Sequence, residues 1–377
     1  MSDRVLVFLE IFAREGGIQS YVKDVFQAYL DLTSSGEEMA EVFLLRDERG
    51  CENRYETEKL KFHYLKTLPA WKGRLNLAIA LLNCFLLRRP RHVYCGHIKL
   101  APLIGLLCRP LGIPYTVLTY GKEVWQTLST KEQTALQQAN SIWTISRYSR
   151  DRMAAANNID SKKVEILPCI VDGDRFTPGD KPPELLAKYD LHDAKVLMSV
   201  ARLWSGDIYK GVDVTIRALP QILKAFPQVK YLVIGRGDDR PRLEALASEL
   251  GISDRVVFAG FVPTEELAQH YRVADAYIMP SQEGFGIVYL EAMACGKPVL
   301  SGDADGSADP LQDGLLGWQV PHRDADAVAR ACIEILQGQD RRCDGNWLRK
   351  QTLAKFDRQA LQEKLAQLLD IDLISNR

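Results

Sequence analysis

The chain has 377 residues, of which 46% are hydrophobic and 26% charged, and a formal net charge of −1. At ~100–200 residues per domain the length calls for two domains, and the composition is that of a globular protein able to bury sizeable cores, which excludes a disordered, collagenous or disulfide-stapled chain. The neutral balance argues against a nucleic-acid partner, yet it averages over an asymmetry: residues 1–177 carry 24 basic and 20 acidic side chains, residues 178–377 carry 24 and 29, and 59–122 holds eleven Lys/Arg and no Asp or Glu.

The N-terminal MSDRVLVFLEIF has a short apolar run that contains Glu10 and leads straight into glycines without a small-residue cleavage site. It reads as a first strand and not as a signal peptide. Short β-rich runs then alternate with helical patterns: 5–10, 42–45, 62–65, 92–95, 115–119, 142–145 and 164–167, followed by 196–201, 231–234, 256–259, 276–279, 298–301 and 318–320. Nearly continuous apolar strands separated by helices imply parallel sheets covered on both faces. Between the two series lies 172–183 (DGDRFTPGDKPP), a linker by its Asp, Gly and Pro. The expectation is an α/β fold of two doubly wound, Rossmann-like domains, 1–175 and 176–355, facing a cleft, with ligands at the carboxyl ends of the strands. Residues 356–377 carry apolar side chains at 361, 365, 368, 369 and 373, a spacing that predicts a final amphipathic helix, expected to pack back towards the first domain.

The longest apolar stretch, 75–87, is shorter than the ~20 residues of a membrane span. The eight cysteines stand singly, with no CxxC pair and no nearby histidine cluster. That pattern predicts free thiols in a reducing compartment and no zinc site. The expected location is cytoplasmic, with peripheral attachment to the inner face of a membrane left open.

Five segments carry chemistry. Gly16-Gly17 follows the first strand and opens a helix, exposing backbone N–H groups and the positive end of the dipole to a phosphate, although it is no GxGxxG and a plain tight turn accounts for it equally well. Arg202 ends the first strand of the second series and Lys210-Gly211 begins the next helix. An arginine fork and a lysine point charge at one strand end can clamp a diphosphate; the plain alternative is a solvated loop. In Pro280-Ser-Gln-Glu-Gly-Phe-Gly-Ile-Val-Tyr-Leu-Glu291, Glu283 stands at a strand end and a glycine turn opens a helix, offering the amides of Phe285, Gly286 and Ile287 to an anion. Glu283 is then placed for sugar hydroxyls and Glu291, two turns on, for a ribose, against the alternatives of a helix cap and a surface acid. At Gly235 (VIGRGD, 233–238) a strand runs into a glycine turn, and at Val262 (VVFAGFVP, 256–263) a strand ending in Gly-Phe-Val can lay backbone against a nucleobase; both are donor-binding candidates, but each alone is generic for an α/β crossover.

Taken in order, and with the later Asp313-Gly-x-x-Gly turn, these segments resemble the family-4 retaining glycosyltransferases of the GT-B fold, most closely over 196–320 and loosely over 40–95. The resemblance implies transfer of a sugar from a UDP- or GDP-linked donor to an acceptor hydroxyl with retained configuration, needing no cofactor and no metal, the first domain binding acceptor and the second donor. It implies that Arg202 and Lys210 hold the donor diphosphate, Glu283 the donor sugar, the amides of Phe285, Gly286 and Ile287 the sugar and phosphates, and Glu291 the ribose, while Gly17 lets backbone approach the diphosphate. One segment departs from the pattern. Where many members have a histidine in an HGxE-like run, this chain has Tyr120-Gly121-Lys122-Glu123, and a phenol with a reference pKa of ~10 is no neutral-pH base. His97, at the preceding strand end, is the other candidate for positioning sugar or acceptor; a satisfied structural histidine is the plain alternative.

Two further classes compete: a nucleotide-sugar epimerase or phosphorylase on the same scaffold, and an inactive nucleotide-sugar-binding protein. The Glu283/Glu291 pair with Arg202 and Lys210 favours the transferase. The basic tract 59–122 falls in the acceptor domain and contains Trp71, Lys72, Arg74, the apolar run 75–87 and Arg88-Arg89-Pro90-Arg91. It suits an anionic partner, a lipid-linked acceptor at a membrane surface or an acidic glycan. The competing reading is a core-facing helix with solvated cations at its ends.

Overall fold

The computed structural model describes residues 4–14, 16–34, 36 and 38–371. The chain divides into two compact units, one running up to Ile170 and taking in the residues from Arg358 on, the other spanning Val171–Asp357.

The first unit holds strands β1 (Arg4–Phe8), β2 (Ala40–Leu44), β3 (Leu60–Tyr64), β4 (His92–Cys95), β5 (Tyr115–Leu118), β6 (Ser141–Thr144) and β7 (Val164–Ile166) in the order β3-β2-β1-β4-β5-β6-β7, every neighbouring pair parallel. The second holds β8 (Lys195–Val200), β9 (Val229–Ile234), β10 (Val256–Gly260), β11 (Ala276–Met279), β12 (Val299–Gly302) and β13 (Trp318–Val320) in the order β10-β9-β8-β11-β12-β13, again all parallel. Each run expected from the sequence is a strand, with ends moved by a residue or two. The reason is visible in β2 (AEVFL), β5 (YTVL), β11 (AYIM) and β12 (VLSG), which are buried at every position. Helices cover both faces of such a strand, so the apolar run has no alternation to blur it. Glu41 in β2 is the charged exception, and it is paired with His63 and Arg88, as a buried carboxylate must be.

Both sheets reverse direction once. The chain winds from β1 outward to β3 and then crosses back to β4; in the second unit it winds from β8 to β10 and crosses back to β11. Loops leaving two adjacent strands in opposite directions open a crevice at their carboxyl ends. That crevice lies between the β1 and β4 loops in one unit and between the β8 and β11 loops in the other.

Two helices of the first unit matter below. The final helix, Arg358–Leu369, packs on helix Gly17–Thr33. It buries Leu361, Leu365 and Leu369, and is pinned by Gln362 to Asp31 (2.7 Å) and by Arg4 to the Leu369 carbonyl (2.9 Å). Helix Ala70–Arg88 turns Gly73, Leu77, Leu81, Cys84 and Phe85 into the core, while Trp71, Leu75, Ile79, Leu82 and Leu86 are exposed. Among the described residues no helix is long and apolar enough to cross a membrane, and all eight cysteines are free thiols.

A candidate donor site at the switch point of the second unit

Strand β8 delivers Arg202, then a tight turn Ser205–Lys210 ends at Gly211, whose φ of +74° leads into helix Val212–Ala225. A Cβ on Gly211 would lie 2.5 Å from the Pro280 carbonyl oxygen. Glycine is therefore what lets the β8 loop press against the β11 loop. The contact is sealed by a hydrogen bond from the Gln282 amide to the Tyr209 carbonyl (3.2 Å). Across it, the Lys210 ammonium forms an ion pair with Glu283 Oε1, both side chains largely buried. Arg202 stands apart. Its side chain is 67% exposed, its guanidinium lies over Trp204, and Nε donates to Oδ2 of the buried Asp207 at 2.6 Å. A shallow cleft beside Arg202 and Lys210 continues along Asp213, Asp239 and Arg242. There Arg323 pairs with Asp213 (2.5 Å) and Arg242 grips Asp239 through two bonds (2.6 and 2.7 Å).

The β11 loop ends at Gly286, φ +92°, which caps helix Ile287–Ala294 without any side-chain hydrogen bond. The first N–H groups of that helix thus have no acceptor within it, which makes them donors for an incoming anion. Glu283 is not the cap. The Phe285 ring is buried edge-on against Phe356, centroids 5.8 Å apart, and so anchors the loop and leaves only its amide for a ligand. Glu291 receives the Tyr271 hydroxyl on Oε2 at 2.7 Å; among the described residues Oε1 takes no hydrogen bond. Burial raises its pKa to about 7, against the smaller lowering effects of Tyr271 and Arg175.

One residue of the site escapes the sequence reading. Asp305, in the loop after β12, accepts from the Glu283 amide (2.6 Å), from the Ser307 amide (2.8 Å) and from the Ser307 hydroxyl. The Gly306 amide donates to the Glu283 carbonyl at 2.9 Å. Burial pushes the Asp305 carboxyl up to about 6, even though all its hydrogen bonds pull the other way. Its only sequence signal is its place three residues beyond a strand end, next to a glycine, in S-G-D-A-D-G-S.

The neighbouring strand ends complete the rim. Gly235, φ +137°, brings its loop so close to the β8 loop that a Cβ would lie 1.8 Å from the Ala201 carbonyl, and its amide donates to Gly260 at 2.8 Å. Val262 is buried, so backbone is what it presents; beside it Phe261 is exposed under the Arg236 guanidinium, 4.8 Å from the ring centroid.

The remaining candidates belong to the first unit. Gly17 is the first residue of helix Gly17–Thr33, and a Cβ there would meet nothing within 4 Å, so the space above the helix start is open. His97 follows β4. Its Nδ1 accepts the Lys99 amide at 3.1 Å and so caps the short turn behind it. Burial, with Arg46 and Lys99 nearby, lowers its pKa to about 4, so the ring is neutral with its proton on Nε2. Tyr120 follows β5 and is buried: its hydroxyl donates to the Gly96 carbonyl at 2.9 Å and its ring packs edge-on to Tyr21. Burial raises the phenol's pKa well above its ordinary value. The Tyr120 amide in turn donates to Glu123 (2.5 Å).

Residues 194–338 match the family model described as glycosyl transferases group 1. Over 258 residues, 65% of this chain and 66% of the relative, the sequence is 36% identical to a GDP-mannose-dependent alpha-(1-6)-phosphatidylinositol monomannoside mannosyltransferase of Mycolicibacterium smegmatis. Residues 194–338 form a glycosyl transferases group 1 domain. A second relative, the GDP-mannose-dependent monoacylated alpha-(1-6)-phosphatidylinositol monomannoside mannosyltransferase of Corynebacterium glutamicum, is 27% identical over 98% of both chains. The chain spans 66% of the length of the Mycolicibacterium relative and 60% of that of a Mycobacterium tuberculosis one. In three dimensions the chain superposes on Anabaena HepE in complex with UDP with a TM-score of 0.77, covering 98% of this chain and 100% of that one at 19% identity. A glycosyltransferase from Rickettsia africae gives 0.78, covering 100% and 99% at 16% identity. These likenesses establish the GT-B fold.

Proposed function

We propose that this protein is a retaining glycosyltransferase that moves a sugar from a nucleoside diphosphate to a hydroxyl of a lipid-linked glycan or inositol acceptor. The observation that carries the reading is the convergence of Lys210, Glu283 and the open N-terminus of helix Ile287–Ala294 at the switch point of the second sheet. Lys210 and Arg202 meet the donor diphosphate, Glu283 accepts hydrogen bonds from the donor sugar, the amides of Phe285, Gly286 and Ile287 meet sugar and phosphates, Gly235 and Val262 line the base, and Glu291 Oε1 takes the ribose. Gly17 leaves the start of helix Gly17–Thr33 open to a phosphate group. His97 and Tyr120 act by shaping the loops behind β4 and β5.

In the reaction the bond from the anomeric carbon to the leaving phosphate oxygen breaks while a bond to the acceptor oxygen forms on the same face. The acceptor's proton goes to the departing phosphate. Charge grows on the diphosphate as it leaves, and fixed cations and helix amides aimed at it are the strongest lever a protein has on such a step. The chemistry calls for no metal, since those groups carry the charge. The relatives' names support GDP-mannose as donor and a phosphoinositide-type lipid as acceptor, and the basic tract 59–122 supports an anionic membrane surface as the place where the two meet.

The test is a calorimetric titration of the full chain with GDP-mannose, GDP-glucose, UDP-glucose and UDP-galactose, followed by product analysis with lipid-extract acceptors. The expected result is tight binding of GDP-mannose and release of GDP that depends on acceptor. Binding of none of the four, or interconversion of the donor sugar without acceptor, overturns the reading.

A further inference from the structure

Helix Ala70–Arg88 has two apolar faces. The inner one serves the core of the first unit. The outer one is a row, Trp71, Leu75, Ile79, Leu82 and Leu86, spaced four, four, three and four residues apart and exposed by 60, 51, 50, 40 and 54%. Leu68 before the helix and Leu87 at its end are each 84% exposed. Single exposed leucines need no explanation, but a continuous row along four turns marks a surface with a partner.

The charges around the row say which partner. Lys72 and Arg74 stand exposed at the start of the helix and Arg89 just past its end. Arg88 is turned to Glu41. Throughout 59–122 there is no acid. A second copy of this chain pairing row against row would bring both sets of cations together with nothing in the tract to neutralise them. An acidic soluble partner would satisfy the cations but leave the leucines to be covered separately. An anionic bilayer satisfies both, because it offers phosphate at one depth and hydrocarbon a few ångströms below. Long cationic side chains reach back to the phosphates while their helix sinks, and a tryptophan at the helix end sits naturally at the boundary.

We infer that the outer face of Ala70–Arg88 lies in the headgroup–acyl boundary of an anionic lipid bilayer. Leu75, Ile79, Leu82 and Leu86 enter the apolar layer, Trp71 lies at its edge, and Lys72, Arg74 and Arg89 meet lipid phosphates. This deepens the proposed function and takes its purpose from that reading: an acceptor anchored in a bilayer is met by an enzyme already lying on it.

The test uses the full chain and vesicles of phosphatidylcholine alone or mixed with phosphatidylglycerol. Each lysine or arginine near an anionic surface adds about 1 kcal/mol, so three predict binding to the mixed vesicles roughly a hundredfold tighter than to neutral ones, weakening with salt. Ile79→Glu with Leu86→Glu removes vesicle binding without changing the melting temperature, since both side chains are exposed. Brominated lipid quenches tryptophan fluorescence in the wild type and much less in Trp71→Phe. Equal binding to both vesicle types, or unchanged binding by the double variant, overturns the inference. So does a dimer, seen by sedimentation velocity, that the double variant dissociates while the wild type ignores vesicles. Nucleotide-sugar binding is measured on the same samples. Its absence would sink the proposed function and leave the lipid result standing, whereas retained donor binding without vesicle binding does the reverse.

Discussion

The Asp305 carboxylate accepts a hydrogen bond from the Glu283 amide at 2.6 Å, and the residue after it returns one to the Glu283 carbonyl at 2.9 Å. The peptide carrying the sugar-binding candidate is thus clamped at both ends by a loop 22 residues further along. Asp305→Ala leaves the Glu283 and Ser307 amides without their acceptor, at a cost of about 1–3 kcal/mol for a buried group left unpaired. If the strain is felt at Glu283, kcat/KM falls by roughly ten- to a hundredfold, and Asp305→Asn, which keeps one acceptor oxygen, recovers part of it. Steady-state kinetics of the two variants checks this. Loss of melting temperature with wild-type kcat/KM would make Asp305 a purely structural residue.

Lys210 and Glu283 neutralise each other in a partly enclosed setting. Either alanine variant is expected to lower turnover by about 10²–10³, the scale of removing one fixed donor from a charge-developing site. Each also strands the opposite charge, so the two changes are not additive in stability. Thermal unfolding should find Lys210→Ala/Glu283→Ala less destabilised than the sum of the single variants. Near-wild-type transfer by both single variants would remove this pair from the chemistry.

Glu291 and Asp305 both have raised folded-state pKa values, about 7 against 4.5 and about 6 against 3.8. A raised carboxyl holds its proton in the folded chain at a pH where the unfolded chain has already lost it. Its contribution is fully present below the unfolded value and disappears as pH rises through the folded one. At about 1.4 kcal/mol per unit, Glu291 alone contributes a loss on the order of 3 kcal/mol. His97, with its lowered pKa, pulls the overall slope the other way, so the test is the difference between proteins: in urea unfolding from pH 4.5 to pH 7, Glu291→Gln should gain stability relative to the wild type as pH rises. Parallel curves for the two proteins would contradict the assignment.

Tyr120 spends its hydroxyl on the Gly96 carbonyl. Tyr120→Phe is therefore expected to cost about 1 kcal/mol of stability, the net worth of one buried hydrogen bond, and to leave kcat unchanged. A drop in kcat without a drop in melting temperature would instead mean that the phenol touches the sugar.

Much of this was legible in the residues. Strands such as AYIM and VLSG carry no competing pattern, because helices bury both of their faces, and the loop after β8 and that after β11 announce themselves by placing charge and glycine at a strand end. What stayed hidden depends on contacts between distant parts of the chain. Asp305 reads as one more loop acid until the fold brings Glu283 to it. Gly235 reads as a place for a ligand's approach, and its immediate neighbour is the Ala201 carbonyl. Helix Ala70–Arg88 defeats periodicity for a simpler reason: with apolar rows on opposite sides, the two signals cancel, and neither the core-facing nor the outward reading could be chosen alone.

The final helix, Arg358–Leu369, closes the first unit from the far end of the sequence. A chain leaving the ribosome N-terminus first therefore holds the exposed side of Gly17–Thr33 uncovered while the whole of Val171–Asp357 is made, roughly 10–40 s at about 5–20 residues per second. The second unit has every residue it needs before the first does. The half of the protein that is translated earliest is the half that is finished last, and a nascent chain stopped anywhere before residue 358 carries an open hydrophobic seat.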